Sequence, residues 1–223
     1  MVNNYIQTLG DKLVANSDRK YKYPFKFKVI KDDSLNAFAL PGGFIYIHSG
    51  LIAKIDNEAQ LAAVIGHEIG HVTYRHAASR ISAAQNYNVL TTVGVLAAES
   101  SGYKVSGSVL KGINIFGAGS ILAYGREQEA QADSIGLITM YNANYNANEM
   151  VAMFGKLKEL EKGKKPGDLD RMLSDHPLSD DRIDATKKSI AAHPPQTNPV
   201  KNTKEFNLFK IKVIELAKIK SVK

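Results

Sequence analysis

The chain contains no cysteine. Disulfides are therefore excluded, and any bound metal must be held by histidine and carboxylate rather than by thiolate. This absence suits the cytosol and an oxidising envelope equally. No apolar run reaches the roughly 20 residues of a membrane-spanning helix. The richest stretch, from Val89 to Ala123, is interrupted by Glu99, Lys104 and Lys111. It reads as a core hairpin of helices, with contact to a membrane surface or a partner left open. Polar residues follow Met1 where a leader would have a charged start and an apolar segment, so no secretory signal is visible; a chain already trimmed of its leader would look the same. The basic-and-aromatic signature of nucleic-acid binding is also missing. The net charge of +7 and isoelectric point near 9.3 therefore read as a solvated basic surface. Much of that excess sits at the ends: Lys12, Arg19, Lys20, Lys22, Lys26 and Lys28, then Lys201 to Lys223. No internal repeat is convincing.

What remains is 223 residues, 44% of them hydrophobic and 23% charged, ample for one globular core. The expected organisation is a single domain over residues 1–195 and a basic C-terminal appendage over 196–223. Val2 to Ala15 has Tyr5, Ile6, Leu9 and Leu13 on one helical side. Phe25 to Ile30 alternates apolar and basic residues as a half-exposed strand does. Asn36 to Leu40 and Phe44 to His48 follow, separated by Pro41-Gly42-Gly43. These pieces predict a small antiparallel sheet. Helices are expected over Leu51 to Ile55, from an Asn57 cap to about Ser82, over Gly125 to Tyr141, from Asn146 or Asn148 to about Lys162, as a short turn over Leu169 to Leu173, and over Asp180 to Ala192. Pro194, Pro195 and Pro199 mark a linker before a partly amphipathic tail with Phe206, Phe209, Val213 and Leu216 about one turn apart.

The most informative stretch is His67-Glu68-Ile69-Gly70-His71. At about 3.6 residues per turn, positions four apart share a helix face, so both imidazoles can reach one metal. Glu68 lies on the adjoining face. Zinc lowers the pKa of a bound water to roughly 7, and a neighbouring carboxylate can take its proton. This is the H-E-x-x-H pattern of zinc peptidases. Leu61, Ala62, Val64, Ile65, Ile69 and Val72 bury the helix, and two histidines with a carboxylate on a buried helix need partners. Gly66 and Gly70, poor helix formers, would let another backbone or a substrate come close.

A catalytic zinc takes three protein ligands and keeps one open position. His76 lies nine residues beyond His67, about half a turn around a continuous helix, and so points away from the metal as a buried or supporting histidine. Glu58 fails by the same geometry. Glu129 and Asp133, four apart in Arg126 to Asp133, are better: one would bind zinc while the other orients a ligand histidine. The chemistry of the residues does not choose between them.

Three motifs in order, H-E-I-G-H-V-x-x-R-H from His67, R-x-x-E-x-x-A-D from Arg126 and D-H-P-x-x-x-x-R from Asp175, resemble the HtpX, Ste and BepA-like gluzincin metallopeptidases, a group that includes the CAAX prenyl proteases. The resemblance spans about Asn36 to Ile190. It implies an α+β, mostly helical, thermolysin-like core with a small sheet beside the cleft. It makes Glu129 the third zinc ligand, with one Zn²⁺ per chain, and places Asp133 behind the ligands. The segment Asn36, Ala37, Phe38 and Ala39 matches the family's cleft-lining strand, whose edge can pair with an extended substrate; an ordinary edge strand is the plainer alternative. His176 and Arg182 match the late His-Pro loop and its downstream Arg. His176 would stabilise an oxyanion, cap the open zinc position and keep the enzyme latent, or simply make a structural turn. Arg182 would pair with Glu129 or Asp133. The lack of long membrane helices brings the chain closer to the envelope-type members, which act on misfolded or unassembled membrane and envelope proteins, than to those with prenylated substrates.

The expectation is thus a zinc endopeptidase of the cell envelope, using His67, His71 and Glu129 as ligands and Glu68 as general base on unfolded polypeptide. The rivals are a chaperone-like binder with a structural zinc closed by His176, and a hydrolase of non-peptide amides or esters.

Overall fold

The computed structural model describes residues 1–86, 106, 124–162 and 175–218. The expectations for Val89 to Ala123 and for Leu169 to Leu173 fall outside these residues. Helix α1 (Val2–Ala15) buries Ile6, Leu9 and Leu13, the side its apolar spacing marks. Strands β1 (Lys26–Ile30), β2 (Ala37–Leu40) and β3 (Phe44–His48) follow. In β1 the alternation holds, with Lys26 and Lys28 exposed and Phe27 buried.

The sheet is mixed, which corrects the antiparallel expectation. Its order is β1-β3-β2. β2 and β3 form the expected antiparallel hairpin, Leu40 opposite Phe44, turned by Gly42 and Gly43 at φ of +98° and +90°, a region glycine enters freely. β1 instead pairs in parallel with β3, Phe27 opposite Ile45. Residues 31–36 do not close a hairpin but cross the end of β3. There the Gly50 amide donates to the Asp32 carbonyl at 2.8 Å, and Ser49 Oγ donates to the same oxygen at 2.9 Å. A Cβ on Gly50 would lie 2.1 Å from the Asp33 carbonyl oxygen, so only glycine permits the crossing. The fully buried Ile45 and Ile47 of β3 thereby sit in the middle of the sheet.

Helix α2 (Ser49–Lys54) leads to α3 (Glu58–Thr73), every residue of which is buried. Asn57 caps α3, its Oδ1 accepting from the Gln60 amide at 3.0 Å. The expected run to Ser82 is broken. Tyr74 still donates to the Gly70 carbonyl, but Arg75 donates back to Val72 and takes φ +58°, a left-handed helix stop written with an arginine. Helix resumes over residues 76–86.

Helix α4 (Arg126–Asn142) lies against α3. Helix α5 (Asn148–Lys162) starts where Asn146 Oδ1 accepts from the Asn148 amide at 3.0 Å. Helix α6 (Asp180–Ala192) is capped by Ser179, which accepts from the Arg182 amide. In α7 (Lys204–Lys218), Phe206, Phe209 and Val213 enter the same hydrophobic core as α1 and the sheet. The Phe209 ring stacks on Tyr5 with centroids 4.3 Å apart. The architecture is α+β and mostly helical. Among the described residues no helix is long and apolar enough to cross a membrane.

Candidate metal centre

The two helices that carry the candidate ligands meet through their smallest residues. A Cβ on Gly66 would lie 3.1 Å from Gly136 Cα, and one on Gly70 would lie 2.7 Å from Ala132 Cα. The glycines flanking His67 and His71 thus serve the approach of another backbone, that of α4. Ala132 lies within one turn of both Glu129 and Asp133, so this crossing brings their carboxylates to the imidazoles.

His67, His71, Glu129 and His176 each offer one donor atom, all within 4.8 Å of one another, and all four are buried. The Nε2 atoms of His67 and His71 face each other at 2.9 Å. Glu129 Oε1 is 3.3 Å from His71 Nε2, and Oε2 is 3.5 Å from His67 Nε2. His176 Nδ1 lies 3.1 Å from both His67 Nε2 and Glu129 Oε1. Asp133 stands behind His67: its Oδ1 is 2.8 Å from Nδ1. A carboxylate can only accept there, so Nδ1 carries a proton, and in the neutral ring Nε2 is the nitrogen that presents a lone pair inward. A lone pair, a carboxylate and two further imidazoles converging in a buried space fit a cation of tetrahedral preference.

Arg182 fixes this arrangement. Its Nε and Nη2 each donate to Asp133 at 2.8 Å, and Nη1 donates to the Pro177 carbonyl at 2.8 Å. Nη1 is also 2.6 Å from Glu129 Oε2. Burial would push both carboxyls up, but the histidines, and for Asp133 also Arg182, outweigh it and hold Glu129 and Asp133 below their ordinary range. Desolvation lowers His71 well below its usual value, which keeps it neutral as a ligand must be. Burial alone would lower His176, yet Glu68 and Glu129 raise it.

Glu68 is almost wholly buried and faces a small pocket lined by Val64, Met150, Met153, Phe154, Leu157 and Leu178. Desolvation there pushes its carboxyl up, the direction a general base working near neutrality requires. Its Oε1 is 3.5 Å from His176 Nε2, and its Oε2 is buried without a hydrogen-bond partner among the described residues.

The structure thus brings together His67, Glu68, His71, Glu129, Asp133, His176 and Arg182. Of the strand residues, Ala39 lines a groove shared with His71, Tyr21 and Arg75, of about 150 Å³. Phe38 stacks on Tyr46 at 5.3 Å, Ala37 is buried, and Asn36, also buried, gives its carbonyl to the His48 amide. β2 pairs only with β3 among the described residues and forms an edge of the sheet. Glu58 is away from the centre, accepting from Tyr145 Oη at 2.7 Å.

His76 has the buried, supporting place expected of it and is not among the converging donors, but it does not reach it along a continuous α3. The stop at Arg75 turns it back so that its Nδ1 lies 3.0 Å from His71 Nδ1. Two further residues escaped the sequence: Tyr124, whose ring stacks on His71 at 4.0 Å, and Gln131, 2.9 Å from His76 Nε2. The R-H pair closing the first motif was the one available signal, and it named His76 without saying where it points.

The model of peptidase family M48 matches residues 1–190. The chain is 32% identical over 220 residues to the beta-barrel assembly-enhancing protease of Yersinia pestis, covering 96% of this chain and 44% of that protein. It is 31% identical over 222 residues to the protein of the same name in Escherichia coli K12, again with 96% and 44% coverage. It is 30% identical over 182 residues to mitochondrial metalloendopeptidase OMA1 of Schizosaccharomyces pombe, with 80% and 50% coverage. The chain thus spans about half the length of these relatives or less. Motif order, ligand geometry and a family match over most of the sequence agree: the chain belongs to peptidase family M48.

Proposed function

We propose that this chain is a zinc-dependent endopeptidase acting on extended segments of misfolded or unassembled envelope proteins. The observation that carries the reading is the convergence of His67 Nε2, His71 Nε2 and Glu129 beside the buried carboxylate of Glu68. His67, His71 and Glu129 would hold one zinc per chain, which would supply a Lewis acid and an acidified water. Glu68 takes the proton of the attacking water and later passes it to the leaving amine. Asp133 holds the proton on His67 Nδ1, and Arg182 holds Asp133. The edge of β2 that is unpaired among the described residues supports pairing with an extended backbone along Asn36 to Ala39. The fold we read as thermolysin-like, with the sheet beside the cleft. An envelope location and the substrate class rest on the family resemblance of the three motifs and on the relatives' name, beta-barrel assembly-enhancing protease.

The position of His176 supports the latency role: its Nδ1, at 3.1 Å from both His67 Nε2 and Glu129 Oε1, is the fourth donor atom of the group and could cap a metal held by the other three. Four protein donors also favour the second reading, a polypeptide-binding module with a closed, structural zinc. One experiment separates them. Metal analysis, then casein zymography with and without chelator, is run on wild type, Glu68→Gln and His176→Ala. Expected are bound zinc in all three, chelator-sensitive cleavage by wild type, and a loss of about 10²- to 10⁴-fold in Glu68→Gln. Raised activity in His176→Ala marks latency, and lowered activity marks the oxyanion role. Full activity in Glu68→Gln overturns the mechanism, and zinc without cleavage in every form leaves the binding module.

A further inference from the structure

Resting on the zinc reading above, we propose that Gln131 and His76 form an uncharged hydrogen-bond relay that fixes the tautomer and ring orientation of His71, making both of them positioning residues for the metal.

The polarity of the chain follows from its outer end. Gln131 Nε2 lies 3.3 Å from Glu127 Oε1, and a carboxylate accepts only, so the amide nitrogen faces Glu127 and the carbonyl Oε1 faces His76. Oε1 sits 2.9 Å from His76 Nε2 and can only accept. His76 therefore carries its proton on Nε2, and its Nδ1 is an acceptor. That Nδ1 is 3.0 Å from His71 Nδ1, so His71 must be the donor there. Its own Nε2 is left as a lone pair, 2.9 Å from His67 Nε2 and 3.3 Å from Glu129 Oε1. The tautomer a metal needs is thus imposed from the surface inward, through two neutral side chains.

Two packing features hold the relay. The left-handed Arg75 restarts the chain so that His76 returns toward His71, and the His76 ring stacks on Tyr74 with centroids 5.4 Å apart. Gln131 lies on α4 two residues after Glu129, so one helix supplies both a ligand and the anchor of another ligand. His67 receives the same service from Asp133 and Arg182, a charged device. The two ligand histidines are oriented by different chemistry, and outer partners of this kind alter metal affinity by about tenfold to a hundredfold.

The test is zinc affinity of metal-stripped full-length protein, by competition with a chromophoric chelator, with the melting temperature of the metal-free form measured alongside. Gln131→Met keeps the length of the side chain and removes the acceptor; Gln131→Glu keeps an acceptor oxygen. Expected is zinc binding weakened about tenfold or more in Gln131→Met, wild-type or tighter binding in Gln131→Glu, and a metal-free melting temperature unchanged in Gln131→Met. His76→Ala weakens zinc to a similar degree, and nitrogen NMR of the zinc form shows His71 protonated on Nδ1 in wild type. Equal, wild-type affinity in the Met and Ala variants overturns the relay while leaving the zinc reading intact. A wild type that does not bind zinc overturns that reading and the relay with it.

Discussion

Gly70→Ala probes the contact on which the metal centre is built. A methyl placed there lies 2.7 Å from Ala132 Cα and 2.9 Å from its carbonyl oxygen, both backbone atoms that cannot swing aside. Ordinary carbon contacts begin near 3.5 Å, so α3 and α4 must separate by about 0.8 Å or distort locally. Overpacking of this kind costs about 1–3 kcal/mol, while replacing a mid-helix glycine by alanine returns up to about 1 kcal/mol of helix propensity. The net loss is about 0–2 kcal/mol, which for a chain of this size is a drop of up to about 8 °C in melting temperature.

Gly155→Ala on α5 is the matched control, since nothing lies within 4 Å of the place its methyl would take. It should gain about 0.4–1 kcal/mol and melt higher. The Gly70 substitution has a second consequence. Glu129 and Asp133 ride on α4, and metal sites tolerate only about ±0.2 Å in ligand distance, so zinc affinity should fall together with stability. Calorimetry of the metal-free protein and a zinc competition titration measure both. A Gly70→Ala protein that melts as high as Gly155→Ala and binds zinc as wild type does would refute the close crossing.

Glu149 accepts from Asn57 Nδ2 at 2.7 Å and Gln60 Nε2 at 3.0 Å, and pairs with Lys201 at 2.8 Å; burial pushes its carboxyl up, but these partners outweigh it and hold it below 4.5. Its stabilisation is therefore complete above that value and lost as pH falls through the lowered one: Glu149→Gln should cost about 1–3 kcal/mol at pH 7, with the gap to wild type closing below about pH 4 in denaturant titrations, and a gap constant from pH 7 to 3 would contradict the assignment. Phe209→Ala should cost about 3–5 kcal/mol, because the ring is 1% exposed and stacks on Tyr5; a cost under about 1 kcal/mol, the range of surface substitutions, would mean that α7 does not complete the core.

Local rules carried the sequence far where one helix decides the outcome. Spacing of four placed His67 and His71 on one face, Asn57 announced its helix as a cap, and Tyr5, Ile6, Leu9 and Leu13 marked the inner side of α1. The misses share a different cause. Parallel pairing of β1 with β3 depends on where residues 31–36 cross, which rests on Gly50 meeting the Asp33 carbonyl. Spacing also left Glu129 and Asp133 equivalent, since both are on one face of α4. They differ only in what that face meets: Asp133 reaches the outer nitrogen of His67 and the fork of Arg182, whereas Glu129 reaches the inner nitrogens. Arg75 ends α3 in a conformation that costs an L-residue about 1–2 kcal/mol, and nothing in its chemistry signals a stop.

On the proposed zinc site, charge explains why His67 and His71 are oriented by unlike partners. Glu68, Glu129 and Asp133 bring three negative charges into a buried space and Arg182 one positive, a net of −2. A divalent cation cancels that sum, and burying an uncancelled charge is expensive. Without the cation the same imbalance shows in the direction of two groups: Glu68 is pushed up by burial, and His176 is raised by Glu68 and Glu129 against the pull of its own burial. Each proton taken up removes one unit of the excess. A second carboxylate touching His71 Nδ1 directly, as Asp133 touches His67, would leave the loaded centre at −1, a buried excess of the same costly kind, whereas one at the half-buried Gln131, a ring further out, stays within reach of solvent. The proposed Gln131–His76 relay would supply the acceptor that His71 needs and add no charge, so that the centre loaded with a divalent cation would stay neutral.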